Sequence, residues 1–298
     1  MQEKIRGHSG TETQRNMKKR KILITGSGGQ LGSEFVRAFE NSDYECIAPD
    51  ESSFNITDYT GSKKIISEIK PDIIINCAAY NAVDDAEDKP DIAFSVNRDA
   101  VRSLAEICRD SKIFMVHYGT DYVFDGAKMD FYTEEDIPNP LGVYGKSKLE
   151  GEIAVLEILE NSLVFRLSWV FGRGKQNFLY KLSQWAEKNR VLKISADEVS
   201  VPTYTGHIVK ATIASFEKKL SGLYHLTNSG YASRYELTKY YIEKSSRDNL
   251  VIPVAMSTFA VKARRPGFSP MSNERLCGAL GMELPHWKPG VDAIIHSL

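Results

Sequence analysis

Tyr144 and Lys148 stand four residues apart in Tyr144-Gly145-Lys146-Ser147-Lys148. On a helix that spacing puts the phenol and the ammonium on one face, one turn apart. A free tyrosine holds its proton to a pKa of about 10 and is a poor acid or base at neutral pH. A nearby ammonium favours the phenolate and lowers that value. The pair could therefore make a proton donor for a carbonyl oxygen. On spacing alone the lysine-rich face of a surface helix is the commoner case, since Tyr-x-x-x-Lys often occurs by chance. The choice rests on what the rest of the chain sets around it.

The first neighbour is a glycine turn. Lys21-Ile22-Leu23-Ile24-Thr25 reads as a buried parallel strand and runs into Gly26-Ser27-Gly28-Gly29-Gln30-Leu31-Gly32, followed by a helical pattern from Ser33 to Glu40. A dinucleotide pyrophosphate needs that context. Glycines let the backbone approach the phosphates, and the helix N-terminus offers free N–H groups and a positive dipole end. A second strand, Tyr44 to Ala48, ends at Asp50, 18 positions after Gly32 and close to where an acid meets the adenosine ribose.

The alternation continues, and it places the other candidates. Thr57 to Ile69 reads as a helix, Ile73 to Cys77 as a strand ending in Ala78-Ala79-Tyr80, and Pro90 to Asp110 as one helix containing Asn97. The strand Ile113 to Tyr118 leads into Gly119-Thr120-Asp121-Tyr122. Ligands of an open parallel sheet sit beyond the carboxyl ends of its strands, so Thr120 shares a crevice with the glycine turn. The helix of Tyr144 and Lys148 follows, then a strand from Leu163 to Leu167. Five strand-plus-helix units predict an α/β fold, a Rossmann-type doubly wound parallel sheet with a smaller C-terminal substrate-binding lobe. Residues 19–168 and about 204–226 are assigned to the sheet domain, and 169–203 with 227–298 to the lobe. Residues 1–18 are polar, without a core pattern or a signal-like apolar stretch, and are expected to form a disordered tail.

Composition narrows the function classes. The 298 residues are 42% hydrophobic with a net charge of −1, which favours neither nucleic acid nor an anionic membrane as partner. No apolar run reaches the roughly 18 to 20 residues that span a bilayer. Cys46, Cys77, Cys108 and Cys277 are scattered and read as reduced thiols of a cytoplasmic protein rather than as disulfides or metal ligands. Glu134, Glu135 and Asp136 read as a solvated acidic loop, and no metal site is expected.

These motifs together resemble the extended short-chain dehydrogenases/reductases and, within them, the dTDP-4-dehydrorhamnose reductase family. The resemblance runs from about Lys18 to the C-terminus. It rests on Thr25-Gly26-x-x-Gly29-Gln30-Leu31-Gly32, Ile75 to Tyr80, Val96-Asn97, Thr120 to Gly126, Tyr144 to Glu152, Arg166 to Gly172, Pro202-Thr203-Tyr204 and Arg265-Pro266. It implies hydride transfer from NADH or NADPH to C4 of a nucleotide-linked 4-keto-6-deoxysugar. Tyr144 would be the proton donor, Lys148 would lower its pKa and bind the nicotinamide ribose, and Thr120 would hydrogen-bond the keto oxygen. Gly26, Gly29, Gln30, Leu31, Gly32, Asp50, Asn55, Ile56, Ala78, Ala79, Tyr80, Asn97 and Tyr118 would border the cofactor, and Asp121 and Trp169 the substrate. Asp50, with no arginine beside it, leans toward NADH or dual use. The family also suggests a homodimer.

Two other readings remain open. The 4,6-dehydratases of the superfamily carry a glutamate where this chain has Tyr122, so a simple reductase is favoured over a dehydratase. Regulatory subunits of methionine adenosyltransferase resemble the same family and bind a dinucleotide without catalysis; the intact Thr120, Tyr144 and Lys148 favour an enzyme. The chain departs from the family pattern at Gly119 (serine), Asn81 (threonine), Asn55 (aspartate), Glu198 to Ser200 and His207-Ile208. Those departures bear on which sugar is taken more than on the reaction.

Overall fold

The structure, a computed structural model, describes residues 19–297; the expected tail over residues 1–18 lies outside them. The first half alternates strand and helix. It runs β1 (Arg20–Thr25), α1 (Gln30–Phe39), β2 (Tyr44–Ile47), α2 (Tyr59–Ile69), β3 (Ile73–Asn76), α3 (Val83–Asp88), α4 (Pro90–Phe94), α5 (Ala100–Ser111), β4 (Phe114–Thr120), α6 (Val143–Ile158) and β5 (Ser162–Leu167). The second half is β6 (Val170–Phe171), α7 (Phe178–Lys188), β7 (Val191–Ser195), β8 (Val199–Ser200), β9 (Thr203–Tyr204), α8 (Thr205–Glu217), β10 (Gly222–His225), β11 (Ala232–Ser233), α9 (Arg234–Lys244), β12 (Leu250–Val254), α10 (Glu274–Leu280) and α11 (Trp287–Ile294).

The main sheet has the order β10-β5-β4-β3-β1-β2, with every adjacent pair parallel. Its strands are apolar on both faces because both faces are covered. Ile22, Ile24, Ile73, Ile75, Val116 and Phe165 face one core, with Phe35 of α1 and Ile208 of α8. Leu23, Ile74, Met115 and Val164 face the other, with Ile66 of α2, Leu104 of α5 and Val155 of α6. From β1 the chain steps to β2 on one side and returns to β3 on the other. The loops leaving β1 and β3 therefore diverge, and a crevice opens above them.

The predicted doubly wound sheet is what forms. Two details differ from the sequence reading. The helix expected from Pro90 to Asp110 is broken by a wider π-type turn at Ser95–Asp99. There Asn97, fully buried, accepts from the Tyr80 amide (2.8 Å) and donates to the Tyr80 carbonyl (3.0 Å) and to Ser147 Oγ (3.0 Å). The turn thus clamps the loop after β3 to α6, at the expense of regular helix bonding. The strand β12, for which the sequence reading has no element, carries Pro253; it pairs only with β7, an edge position that tolerates a missing N–H.

The later segments form a further core around Leu179, Leu182, Leu192, Ile194, Leu237, Tyr241, Trp287 and Val291. It sits against the carboxyl edge of the sheet through β6, which pairs with β9. The four cysteines are all free. Among the described residues no helix is long and apolar enough to cross a membrane. The acidic loop is not simply solvated. Glu134 accepts from the His225 amide (2.7 Å), Glu135 pairs with Arg275 (2.9 Å), and Asp136 pairs with Lys128 (2.7 Å).

Candidate active site

A crevice of about 1090 Å³ runs along the carboxyl ends of β1 to β5. At one end is the glycine turn. Gly26 has φ +62°, a left-handed conformation open to glycine, and a Cβ there would meet backbone atoms of Ala78 and Cys77 at 2.7–2.9 Å. Gly29 begins α1 without a side-chain cap, so the first amides of the helix are unclaimed by any cap and border the crevice. No atom lies within 4 Å of where a Cβ of Gly28 would stand. A tight turn with an uncapped helix start and open space above it fits a dinucleotide pyrophosphate. Gly32 lies behind the crevice, where a Cβ would overlap the Gly26 carbonyl. Its role is to let the helix pack onto the turn.

Most of the other expected cofactor residues line the same space. Gln30, Leu31, Asp50, Asn55, Ile56, Ala78, Ala79, Tyr118, Tyr144 and Lys148 all border it. Gln30 is fixed at both ends of its amide, donating to the Val170 carbonyl (3.1 Å) and accepting from Asn177 (2.7 Å). Asp50 accepts from Ser52 Oγ (2.8 Å), Ser53 Oγ (2.5 Å) and the Ser53 amide (2.9 Å). Those donors, Ser53 first, hold its carboxyl down to about 2. Tyr80 and Asn97 do not reach the crevice wall. The Tyr80 hydroxyl bonds Asp85, and Asn97 serves the clamp described above.

The reacting end is assembled on α6 and the end of β4. Tyr144 is buried, its ring edge-on to Tyr122 at 5.5 Å, and its hydroxyl donates to Asn81 Oδ1 at 3.3 Å. Burial pushes its pKa up to about 12, and the nearby Thr120 hydroxyl opposes that rise. The phenol thus keeps its proton at neutral pH: burial and the Asp121 charge raise its pKa, and the lowering expected from Lys148 is not among the effects that act on it. Lys148, one turn on, donates to the Tyr118 carbonyl at 2.6 Å. Burial lowers it to about 8, while Glu152, a further turn along, supports the charged form. Thr120 donates to Asp121 Oδ1 at 3.3 Å and accepts from the Tyr122 amide at 3.2 Å.

Asp121 borders the crevice, but its carboxylate is engaged elsewhere. Oδ2 accepts from Ser200 Oγ (2.8 Å), Ser269 Oγ (2.8 Å) and Ser168 Oγ (3.4 Å). Burial raises its pKa and the serine bonds oppose that rise. Asp121 therefore ties Thr120 to three hydroxyls from β8, the segment after Arg265 and the end of β5. Trp169 also borders the crevice, in a left-handed backbone conformation with φ +38°. Such a conformation costs roughly 1–3 kcal/mol in a bulky residue. It is held by pairing with Thr203, whose amide donates to the Trp169 carbonyl at 3.2 Å.

Each departure from the family pattern has a local cause. Gly119 makes room for a buried Glu152–Arg166 pair (2.6 Å): a Cβ there would stand 2.8 Å from Glu152 Oε2. Removing one partner of such a pair costs about 3–5 kcal/mol. Asn81 is the acceptor for Tyr144, and Asn55 caps its own turn through Thr57 (2.8 Å). Glu198 pairs with Arg234 (3.6 Å), Ser200 serves Asp121, and His207 bonds Asn228 (2.7 Å). Sequence reading missed Asn76, Asn81, Gln176 and Arg234 as crevice residues. Asn76 had a signal, a polar side chain ending an isoleucine run. It accepts from Thr25 (2.6 Å) and meets His117 (3.1 Å). Arg234 had none, since only the fold brings it beside Trp169.

The chain matches the RmlD substrate binding domain family over residues 20–298. It is 36% identical over 289 residues to a dTDP-4-dehydrorhamnose reductase of Sinorhizobium fredii (strain NBRC 101917 / NGR234), covering 93% of this chain and 97% of that one. It is 35% identical to a spore coat polysaccharide biosynthesis protein of Bacillus subtilis (strain 168), covering 90% and 94%. Among solved structures, a dTDP-4-dehydrorhamnose reductase of Bacillus anthracis in complex with NADP superposes with a TM-score of 0.91 at 29% identity, covering 94% of this chain and 100% of that one.

Proposed function

Because this chain belongs to the RmlD substrate binding domain family, we propose that it is an NAD(P)H-dependent reductase of a nucleotide-activated 4-keto-6-deoxysugar. The first substrate is dTDP-4-dehydro-L-rhamnose and the product dTDP-L-rhamnose. One observation carries this reading: Thr120, Tyr144 and Lys148 border the same crevice as a pyrophosphate-fitting glycine turn.

The residues divide the work. Gly26 to Leu31 and the start of α1 hold the pyrophosphate, Asp50 the adenosine ribose, and Lys148 the nicotinamide ribose. When bound, the reduced nicotinamide supplies the hydride that C4 takes up. Charge then builds on the keto oxygen, and donors already aimed at it stabilise that charge. Thr120 donates one hydrogen bond to it. Tyr144 gives it the proton, a contribution of about 10²–10⁴-fold in rate. Asp121 and its serines keep Thr120 from rotating away. Tyr122 leaves no carboxylic acid at the position where a dehydratase would expel the C6 hydroxyl.

The test is oxidation of NADH and NADPH by the full chain with a panel of dTDP- and UDP-linked 4-ketosugars. Turnover with dTDP-4-dehydro-L-rhamnose, and product identified by mass and NMR, is expected. Tight dinucleotide binding without turnover of any sugar in the panel would sink the reading in favour of a non-catalytic binding protein.

A further inference from the structure

Arg234 lines the crevice but has no part in the chemistry above. It opens α9 as the first residue after the N-cap Ser233, inside the Ser233–Glu236 capping box that fixes where the helix starts. Its guanidinium carbon lies 3.5 Å from the centre of the Trp169 ring and 4.8 Å from that of Phe178. Glu198 approaches another edge at 3.6 Å, and 18% of the arginine side chain stays exposed. Two aromatic rings and a carboxylate thus pin the guanidinium in place. Little rotamer freedom is left to lose when a ligand binds it. The stack also covers one face of the indole, so at this point the crevice presents an arginine edge beside Trp169.

The charge pattern tells what that edge can take. Among the described residues lining the crevice, the cations are Lys148 and Arg234. Lys148 is buried and bonded to a carbonyl at the reacting end. The acids are Asp50, Glu51, Asp91 and Asp121. An anion on the Trp169 side therefore meets Arg234 or nothing of opposite sign. A nucleotide sugar carries such an anion, its diphosphate, at the end remote from the sugar ring. The planar guanidinium fork matches phosphate oxygens in a bidentate way that a lysine cannot.

Resting on the reductase reading, we propose that Arg234 is a specificity-determining residue that receives the diphosphate of the nucleotide sugar, with Trp169 and Glu198 as its positioning partners. Glu198 keeps the arginine from folding onto Asp121, and it also competes for the fork. Selectivity for a nucleoside diphosphate over a nucleoside then resides in one side chain of the lobe rather than in the sheet.

Calorimetric titration of the full chain with dTDP and with thymidine, in the presence of the reduced cofactor, tests this. The variants are Arg234→Gln and the double variant Arg234→Gln/Glu198→Gln. The double variant removes both charges, so no lone buried carboxylate endangers folding. The wild type is expected to bind dTDP at least tenfold tighter than thymidine. Both variants are expected to lose at least tenfold in dTDP affinity, with thymidine and cofactor affinities within twofold. KM for the nucleotide sugar should rise more than kcat falls, the pattern of lost ground-state binding. A double variant that binds dTDP like the wild type would overturn the role of Arg234 and leave the reductase reading standing. Equal losses for dTDP, thymidine and cofactor would overturn it too, as the mark of a structural pin. A wild type that binds cofactor but neither dTDP nor thymidine would overturn the nucleotide-sugar reading itself.

Discussion

The two walls of the crevice are built by different means. The wall proposed for the cofactor, here the cofactor wall, is made of short contiguous segments at strand ends, Gly26 to Leu31 after β1 and Asn76 to Ala79 from the last residue of β3. Its shape is mostly backbone: a left-handed glycine, an uncapped helix start, a close passage of two loops. The wall proposed for the substrate, here the substrate wall, is made of single side chains drawn from distant segments. Asp121 meets Ser168, Ser200 and Ser269 across 47, 79 and 148 positions of chain. A backbone-built wall tolerates many side chains and fixes a general ligand. A side-chain wall changes with each substitution and can fix a particular one.

The sharpest test of that division is Tyr144→Phe, where the walls meet. It removes the proton and leaves the ring that packs on Tyr122. Turnover is expected to fall by at least about a hundredfold, with cofactor affinity within twofold by fluorescence titration. A variant that keeps most of its turnover would remove Tyr144 from the chemistry. A loss confined to cofactor affinity would place it on the cofactor wall alone.

Gly32→Ala attacks the backbone-built wall without touching the crevice surface. Its Cβ would overlap the Gly26 carbonyl, so α1 must move off the turn. Cofactor affinity should drop by roughly tenfold or more, because the free amides no longer converge. Affinity for dTDP in the apo chain should stay within twofold. If both ligands weaken alike, the walls are not separable.

Asp121→Asn probes the other wall. The amide can keep an oxygen toward Thr120 only by setting its nitrogen, a donor, among three serine hydroxyls that now donate to the carboxylate, so the network that fixes Thr120 is disturbed on one side or the other. A drop of about tenfold in kcat is expected, at constant cofactor affinity and with a smaller change in KM. A change in KM alone would make Asp121 a direct sugar contact, the role that family resemblance suggests for it.

The same contrast explains what could be read without coordinates. The doubly wound sheet and the glycine turn follow from local patterns: isoleucine runs such as Ile73 to Ile75, and glycines between a strand and a helix. Thr120, Tyr144 and Lys148 follow from spacing plus the rule that strand ends face one crevice. The family resemblance sets Tyr80 and Asn97 beside the cofactor; in the structure they form the clamp that holds α6. Arg234 and the serines around Asp121 leave no local trace, because nothing near them in sequence signals a partner dozens of positions away. The departures at Gly119 and Glu198 were visible as oddities. Their reasons, a buried Glu152–Arg166 pair and an arginine over Trp169, are tertiary.

The pH profile offers a smaller effect on the catalytic seam. Lys148 is lowered to about 8 by burial, so it carries its ammonium below that pH and loses it above. If the ammonium holds the nicotinamide ribose, kcat/KM for the cofactor should decline as pH rises through about 8. Glu152→Gln removes the carboxylate that supports the charged form while leaving Arg166 an acceptor, so the alkaline limb should move to lower pH. A limb that stays put in that variant would mean another group controls it.

The weakest expected effect lies at the outer end of the cofactor wall. Asp50 is exposed, and three serine donors hold its carboxyl down to about 2, so it is ionised throughout the neutral range. An ionised carboxylate accepts from a ribose 2′-hydroxyl and repels a 2′-phosphate. Exposure and salt screen that repulsion, so the preference for NADH over NADPH should be only about threefold at physiological ionic strength, and larger at low salt. Asp50→Asn removes the repulsion while keeping an acceptor for the serines. It should raise NADPH affinity by about the same factor and leave NADH nearly unchanged. The salt dependence is the discriminating readout, because a steric preference would not fade as ions are added. Wild-type chain that binds NADPH tenfold tighter than NADH would show that the 2′-phosphate finds a partner other than Asp50, and the cofactor wall would then depend on side chains as the substrate wall does.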